Sequence, residues 1–373
     1  MIINQSVGLT VAFCLLFAFP KGDAGAQRHA VSDQGCCPES RTSTGRNLKM
    51  VSFSEFTLAS RRDAFPEEGA SGVLGLRAVS VNRRGQVLAV DSRMRRVTIR
   101  SPLLQTIVVV GREGEGPGEY RQPIFGMFGL DGRIWLIDAV LGRISIYSVT
   151  GEFIRALPRP YLNARELIAV SDTTVLILGA VPVRETYAIA TLVSESGRTL
   201  WQGIPADTVL RATTLILDGV WGARSPDGSA VVGIAVSPNI SRIDVSTGRA
   251  LCASRVPSVA WTQLDAAKRP GSGLGPTRNW IEQASSIQRS QSTGDGRVVL
   301  AIVQKAKADG EQFEWIVFDG PLNPTLRVRD VPGRLLLIRA DTAWIAAEAD
   351  DGRQVLIRSL LRPNVERAVN REK

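Results

Sequence analysis

The chain is 373 residues long and 44% hydrophobic, with 35 glycines and 19 prolines, so it can bury a large core and has turn residues for many short strands. The formal charge is +9 with acids and bases interspersed, and no RNA-recognition or helix-turn-helix pattern is present; for an exported chain this excludes nucleic acid as a partner. The single histidine, His29, lies ahead of the first predicted strand, which excludes a Ser-His-Asp or Cys-His arrangement and histidine-bound zinc, copper or iron in the folded part.

Residues 1–26 read as a signal peptide. Val7 to Pro20 is apolar but too short to span a bilayer, and Ala24-Gly25-Ala26 supplies a small-residue cleavage pattern, although MIINQS carries no Lys or Arg. Phe13 ahead of Cys14 does not suit a lipid-attachment site. The expected destination is the periplasm or the exterior. Residues 27–48 are polar and turn-forming, a flexible leader. Cleavage leaves Cys36, Cys37 and Cys252; one of the adjacent pair bridging to Cys252 is one outcome in an oxidising compartment, and no further ligands stand near enough in sequence for a metal site.

Met50 to Leu58, MVSFSEFTL, is predicted as a strand. Two similar units follow. RGQVLAVDSRMRRVTI, from Arg84, and DGRIWLIDAVLGRISIY, from Asp131, align at Gly85 and Gly132, Asp91 and Asp138, and Arg96 and Arg143; 132 − 85, 138 − 91 and 143 − 96 all give 47. Asp131-Gly132 suits a two-residue type I′ hairpin turn. Self-similarity at this period, with several short strands per unit, is the pattern of propeller blades. In each unit the Asp and Arg are expected to meet across a hairpin in a charge-assisted hydrogen bond, an architectural role, with a ligand site as the lesser alternative.

Turn signals continue at Ser171-Asp172, Pro226-Asp227-Gly228, Asp295-Gly296 and Asp341-Thr342, giving six units in all and no helical period of useful length. The expected fold is all-β, a six-bladed β-propeller over residues 49–362, with the Met50–Leu58 strand completing the last blade and residues 363–373 forming a tail. Ala266 to Ser290 departs from the rhythm: Arg269 to Pro276 reads as a mobile loop, and Trp280 and Ile281 either dock it on the propeller or contact a ligand. Arg83, Arg84, Arg93, Arg95, Arg96 and Arg100 crowd the first unit, as a solvated basic surface or as a patch for an anionic partner.

The run GREGEGPGEYRQP followed by DGRIWLIDAVLGRISIYSVTGEF resembles bacterial six-bladed propellers of the NHL-repeat type, with the match carried by Val79 to Phe153. The glycines of this run lack the GK[ST] ending of a phosphate loop, and Glu113, Glu115 and Glu119 would repel phosphate; they read as a crossing between blades stiffened by Pro117. The NHL-type lyases acting on peptidyl-hydroxyglycine depend on histidine ligands that this chain lacks. Ser225-Pro226-Asp227-Gly228 is similar to a fragment of the calcium-dependent lactonases of the gluconolactonase type, without the Asn that precedes it there.

The functional expectation is an exported, monomeric, non-catalytic binding or scaffold propeller without cofactor. Its partner would be a protein or an acidic glycan bound through one face of the ring, with contacts from Arg93, Arg95, Arg96 and Trp280; a separate reading is an envelope scaffold held at an anionic surface by the first-unit arginines. The alternative is a lactonase-like hydrolase, for which calcium would be the cofactor.

Overall fold

The computed structural model describes residues 48–63, 75–157, 164–183, 186–205, 219–262, 274–281, 283–306, 310–320, 322–348 and 354–362. Residues 1–26, expected to be a signal peptide, residues 27–47 of the expected leader, with Cys36 and Cys37, and residues 363–373 lie outside these residues.

The chain begins with β1 (Lys49–Ser52), a one-turn helix (Phe53–Phe56) and β2 (Thr57–Asp63). Blade one is β3 (Leu76–Val81), β4 (Val87–Asp91), β5 (Arg96–Arg100) and β6 (Thr106–Val109), followed by the short ladder of β7 (Arg112–Glu113) and β8 (Glu119–Tyr120). Blade two is β9 (Pro123–Phe128), β10 (Ile134–Asp138), β11 (Arg143–Tyr147) and β12 (Phe153–Ala156). Each strand of blade two starts 47 residues after its counterpart in blade one, from 76 to 123, 87 to 134, 96 to 143 and 106 to 153. Blade three is β13 (Ala164–Ala169), β14 (Thr174–Val183), β15 (Thr186–Ser194) and β16 (Thr199–Pro205); blade four is β17 (Val220–Arg224), β18 (Ala230–Ile234), β19 (Asn239–Ile243) and β20 (Ala250–Arg255). Blade five is β21 (Ser286–Ser292), β22 (Val298–Ala306), β23 (Gly310–Phe318) and β24 (Pro324–Val331), and blade six is β25 (Arg334–Arg339), β26 (Thr342–Glu348) and β27 (Gln354–Leu361) with β2 as its outer strand.

The inner strands β3, β9, β13, β17, β21 and β25 lie side by side, and β25 packs beside β3 to close the circle. The fold is therefore an all-β, six-bladed propeller. Its core is a series of apolar seams between blades. Leu88, Val90 and Tyr120 pack with Ile134 and Leu136 between blades one and two, whereas Val299, Trp315, Ile345 and Ile357 fill the seam between blades five and six. Because a neighbour covers each face of a blade, second strands such as VLAVD of β4 and IWLID of β10 are buried at every position and do not alternate; the outer strand β6 is mostly exposed.

Ring closure uses the N-terminal segment in two pieces, where the sequence suggests one. Lys49–Ser52 adds parallel to β24 as a fifth strand of blade five, and Thr57–Asp63 pairs antiparallel with β27 as the fourth strand of blade six. The break between them is a capping box: Ser52 Oγ accepts from Glu55 N, and Glu55 Oε2 accepts from Ser52 N at 2.6 Å, starting a helical turn that buries Phe53 and Phe56.

The Asp131-Gly132 hairpin is also a different turn from the one expected. Gly132 N donates to Gly129 O and Gly129 N to Arg133 O, and the positive φ falls on Gly132 alone, at 87°. This is a three-residue loop, a type I turn followed by a left-handed glycine. The same bonds recur at Asn82–Gln86, Ser148–Glu152 and Ser225–Ser229. Within the Ala266–Ser290 departure, Leu274–Ile281 forms a helix that takes in the last three residues of the expected Arg269–Pro276 loop, with Pro276 in its first turn, while residues 269–273 lie outside the described residues.

Candidate functional site

Every inner strand of a propeller exposes an edge of unpaired backbone groups toward the axis, and these need partners. Side chains of adjacent inner strands supply them. Phe128 N donates to Ser80 Oγ at 3.0 Å, Gly222 N to Glu166 Oε2 at 3.1 Å, and Ile338 N to Gln291 Oε1 at 3.2 Å. In the complementary sense, Arg224 donates to the Ala169 carbonyl at 2.7 Å, Arg289 to the Leu336 carbonyl at 2.6 Å, and Arg339 to the carbonyls of Val81 and Asn82. Polar residues on these strands are thus fixed at the axis by the backbone they satisfy.

The strands surround a cavity of about 200 Å³, with walls drawn from all six blades. Phe125, Met127, Leu167 and Leu336 form its apolar part. Glu166 is the one carboxylate among the described residues that line it, and Arg224 and Arg289 are the cations. Glu166 is buried, and this burial raises its carboxyl above the ordinary value, opposed by the charge of Arg289 and by the Gly222 N–H. Arg289 sits 5.5 Å above the Phe125 ring; burial lowers its pKa, the field of Glu166 opposes this, and that of Arg77 adds to it. Its guanidinium stays charged at any physiological pH.

The residues singled out from the sequence lie elsewhere. Strand β4 carries the chain from the Asn82–Gln86 turn to the opposite face, so Arg83 and Arg84 are separated from Arg93, Arg95 and Arg96 by the length of the blade. Arg100 is buried and donates to Thr98 Oγ1 and the Leu104 carbonyl. The six arginines therefore do not form one patch. Arg93 and Arg95 are exposed at the β4–β5 turn, Arg96 is half-buried beside them, and Arg95 pairs with Glu113. Trp280 and Ile281 are buried in the apolar seam of blades three and four, against residues such as Ile168 and Val220. Cys252 is buried in the seam of blades four and five.

Asp91 and Arg96, and Asp138 and Arg143, are cross-strand partners in register. Asp138 nonetheless gives its oxygens to backbone: Oδ1 accepts from Val140 N and Leu141 N, and Oδ2 from Arg121 N and Gln122 N. Arg143 turns to the glycine-rich crossing and donates to the carbonyls of Glu115, Gly116 and Glu119. The expected Asp138–Arg143 bond is replaced because the turn presents N–H groups and the crossing presents carbonyls, each a better local match. Asp91 Oδ1 likewise accepts from Arg93 N and Met94 N. Gly85 and Gly132 are the left-handed residues of their hairpins. Asp227 lies in the β17–β18 hairpin, with Oδ1 accepting from Ser229 N and Ser229 Oγ.

Sequence reasoning missed Glu166 and Arg289. Glu166 stands just before the apolar run assigned to the third unit, and Arg289 lies in SIQRSQS, a polar stretch attached to the insertion instead of to an inner strand. A bulge between Ile287 and Arg289 also breaks the strand's period-two pattern, so no alternation marked this stretch as an inner strand.

No protein-family model and no curated protein matches the chain. Its fold is shared with solved structures at low identity. A candidate exported protein of Bacteroides fragilis superposes with a TM-score of 0.60 at 10% identity, covering 84% of this chain and 97% of its own. A member of the DUF4221 family from Bacteroides vulgatus gives 0.59 at 10% identity, covering 82% and 97%. A gluconolactonase from Xanthomonas campestris gives 0.52 at 11% identity, covering 84% and 94%.

Proposed function

We propose that this is an exported, non-catalytic binding propeller that takes its ligand at the central channel. Export is supported by the N-terminal cleavage pattern and by the fold shared with the Bacteroides fragilis protein. The observation that carries the binding reading is the lining of the cavity, where two arginines, a glutamine and serines outnumber a single carboxylate already engaged with Gly222 N. Calcium needs six to eight oxygen ligands, mostly carboxylate and carbonyl. A wall with Arg224 and Arg289 beside one Glu166 does not fit that ion, and this disfavours the lactonase-like alternative.

The test uses the chain from Gln27 onward. Its Tm is measured with calcium and with chelator, together with hydrolysis of δ-gluconolactone as the probe. Calcium should leave Tm unchanged and no lactone should be turned over above background. Hydrolysis that needs calcium and is lost with chelator would overturn the reading. N-terminal sequencing of protein recovered outside the cytoplasm tests export; an intact Met1 there would contradict cleavage.

A further inference from the structure

The donor and acceptor inventory of the channel identifies a class of ligand. Arg289 uses Nη1 on the Leu336 carbonyl, which leaves the Nε and Nη2 hydrogens available. Gln291 uses Oε1 on Ile338 N, which leaves its amide hydrogens. Ser80 accepts from Phe128 N and keeps its hydroxyl hydrogen, and Ser292 Oγ has no partner among the described residues. Against these donors stands one carboxylate, Glu166. A donor-rich, partly apolar cavity suits a molecule rich in acceptor oxygens; a planar guanidinium pairs bidentately with carboxylate or phosphate, and the Glu166 carboxylate in the same wall favours the singly charged carboxylate. At about 200 Å³ the cavity is smaller than the ~300–1,000 Å³ of pockets for drug-sized molecules, so the ligand is small.

We propose that the channel binds a small hydroxy monocarboxylate, with its carboxylate on Arg289 and its hydroxyls on Gln291 and Ser80. This deepens the binding reading above and rests on it. Glu166 would sit close to the incoming anion, so binding should be coupled to proton uptake by that carboxyl. The charged groups around Glu166 are Arg289 across the cavity, Arg224 on the neighbouring β17 and, beyond Arg289, Arg77 on β3; β9, PIFGMF, brings no ionisable side chain. Anion binding favours the protonated carboxyl, so affinity rises as pH falls and levels off once Glu166 is protonated in the free protein as well.

The experiment is calorimetric titration of the chain from Gln27 with D-glycerate, using glycerol as the neutral control, at several pH values from 5 to 8. Glycerate should bind and glycerol should not, and glycerate affinity should rise toward pH 5. Arg289→Gln should weaken glycerate by about 10- to 150-fold, the equivalent of losing a hydrogen bond to a charged group. Because Arg289 also holds the Leu336 carbonyl, Glu166→Gln provides a second arm: it keeps an acceptor for Gly222 N, should bind glycerate at pH 8 as the original protein does at pH 5, and should lose the pH dependence. Equal binding of glycerol and glycerate, no binding of either, or an unchanged pH profile in Glu166→Gln would overturn the proposal. Failure of the binding reading itself is seen separately, as calcium-dependent lactone hydrolysis.

Discussion

Glu166 and Gly222 stand on neighbouring blades, and the Glu166 carboxylate accepts the Gly222 amide hydrogen at 3.1 Å, joining β13 to β17 at the wall of the channel. A carboxylate is an expensive group to place there, since it surrenders hydration for one amide and a nearby guanidinium.

The pH dependence of stability follows from this placement. Burial raises the Glu166 pKa above its ordinary value of 4.5 in the folded protein. As pH rises through the window between the unfolded and folded values, the unfolded chain releases this proton first, so ionisation favours unfolding and stability falls; above the folded value the loss is complete and constant. Each tenfold change in proton affinity corresponds to about 1.4 kcal/mol. Urea unfolding from pH 4 to pH 8 should show the original protein losing stability relative to Glu166→Gln across that window. Parallel pH profiles for the two proteins would show that Glu166 does not titrate with a raised pKa.

Gly222 is needed for more than its amide. A Cβ built there would stand 2.5 Å from Leu178 Cδ1 and 3.1 Å from the Val231 carbonyl, because blades three and four approach closely at this level. Leu178 can move by changing rotamer, but the carbonyl is held in the β17–β18 ladder. Gly222→Ala should therefore cost about 1–3 kcal/mol, in the range of overpacked cores. The comparison is Gly203→Ala, where a Cβ meets nothing within 4 Å and no positive φ is required; it should lie within about 0.5 kcal/mol of the original protein. Equal costs at the two sites in denaturant unfolding would remove the steric explanation.

The ring was legible because turns and apolar runs repeat: Gly85, Gly132, Gly151 and Gly228 all take the left-handed position the hairpins require, and runs such as IWLID are strand-like whatever faces they bury. The two-piece closure was harder to see. MVSFSEFTL has an apolar spacing that suits a continuous strand, and only the Ser52–Glu55 capping box marks the helical turn inside it. The channel residues were hidden for another reason. Inner strands meet backbone edges on the axis, so they carry serine, glutamine, glutamate and arginine, and in sequence SIQRSQS looks like a loop. The arginines of blade one mislead in the opposite way, since proximity in sequence is undone by β4 carrying them to opposite faces.

The crossing between blades one and two depends on Asp138 and Arg143 acting on backbone instead of on each other. Asp138 is buried and accepts from four amides, those of Arg121, Gln122, Val140 and Leu141. Asp138→Ala should lose about 3–4 kcal/mol, whereas Asp138→Asn, which keeps one carbonyl oxygen for Val140 and Leu141, should lose about 1–2 kcal/mol. Arg143→Met keeps much of the stem and abandons three carbonyls, with an expected cost of about 2–3 kcal/mol. If instead the two residues stabilised the fold as an ion pair, a double-mutant cycle of Asp138→Asn and Arg143→Met would show strong coupling; near-additive losses are expected.

Closure of the ring should be most sensitive at Phe56. It is fully buried, meets the Trp315 ring edge-on at 6.0 Å beside Phe53 at 5.3 Å, and stands where the chain leaves β1 on blade five for β2 on blade six. Phe56→Ala removes an aromatic anchor from the seam and should cost about 3–5 kcal/mol. Leu58, two residues on and 52% exposed, should tolerate alanine within about 0.5 kcal/mol. The loss at Phe56 should be accompanied by faster proteolysis within Thr57–Asp63, because an unanchored outer strand leaves blade six with an open edge along β27. A Phe56→Ala protein that unfolds within 1 kcal/mol of the original, with β2 still protected, would mean that hydrogen bonding to β24 and β27 seals the circle without the aromatic cluster.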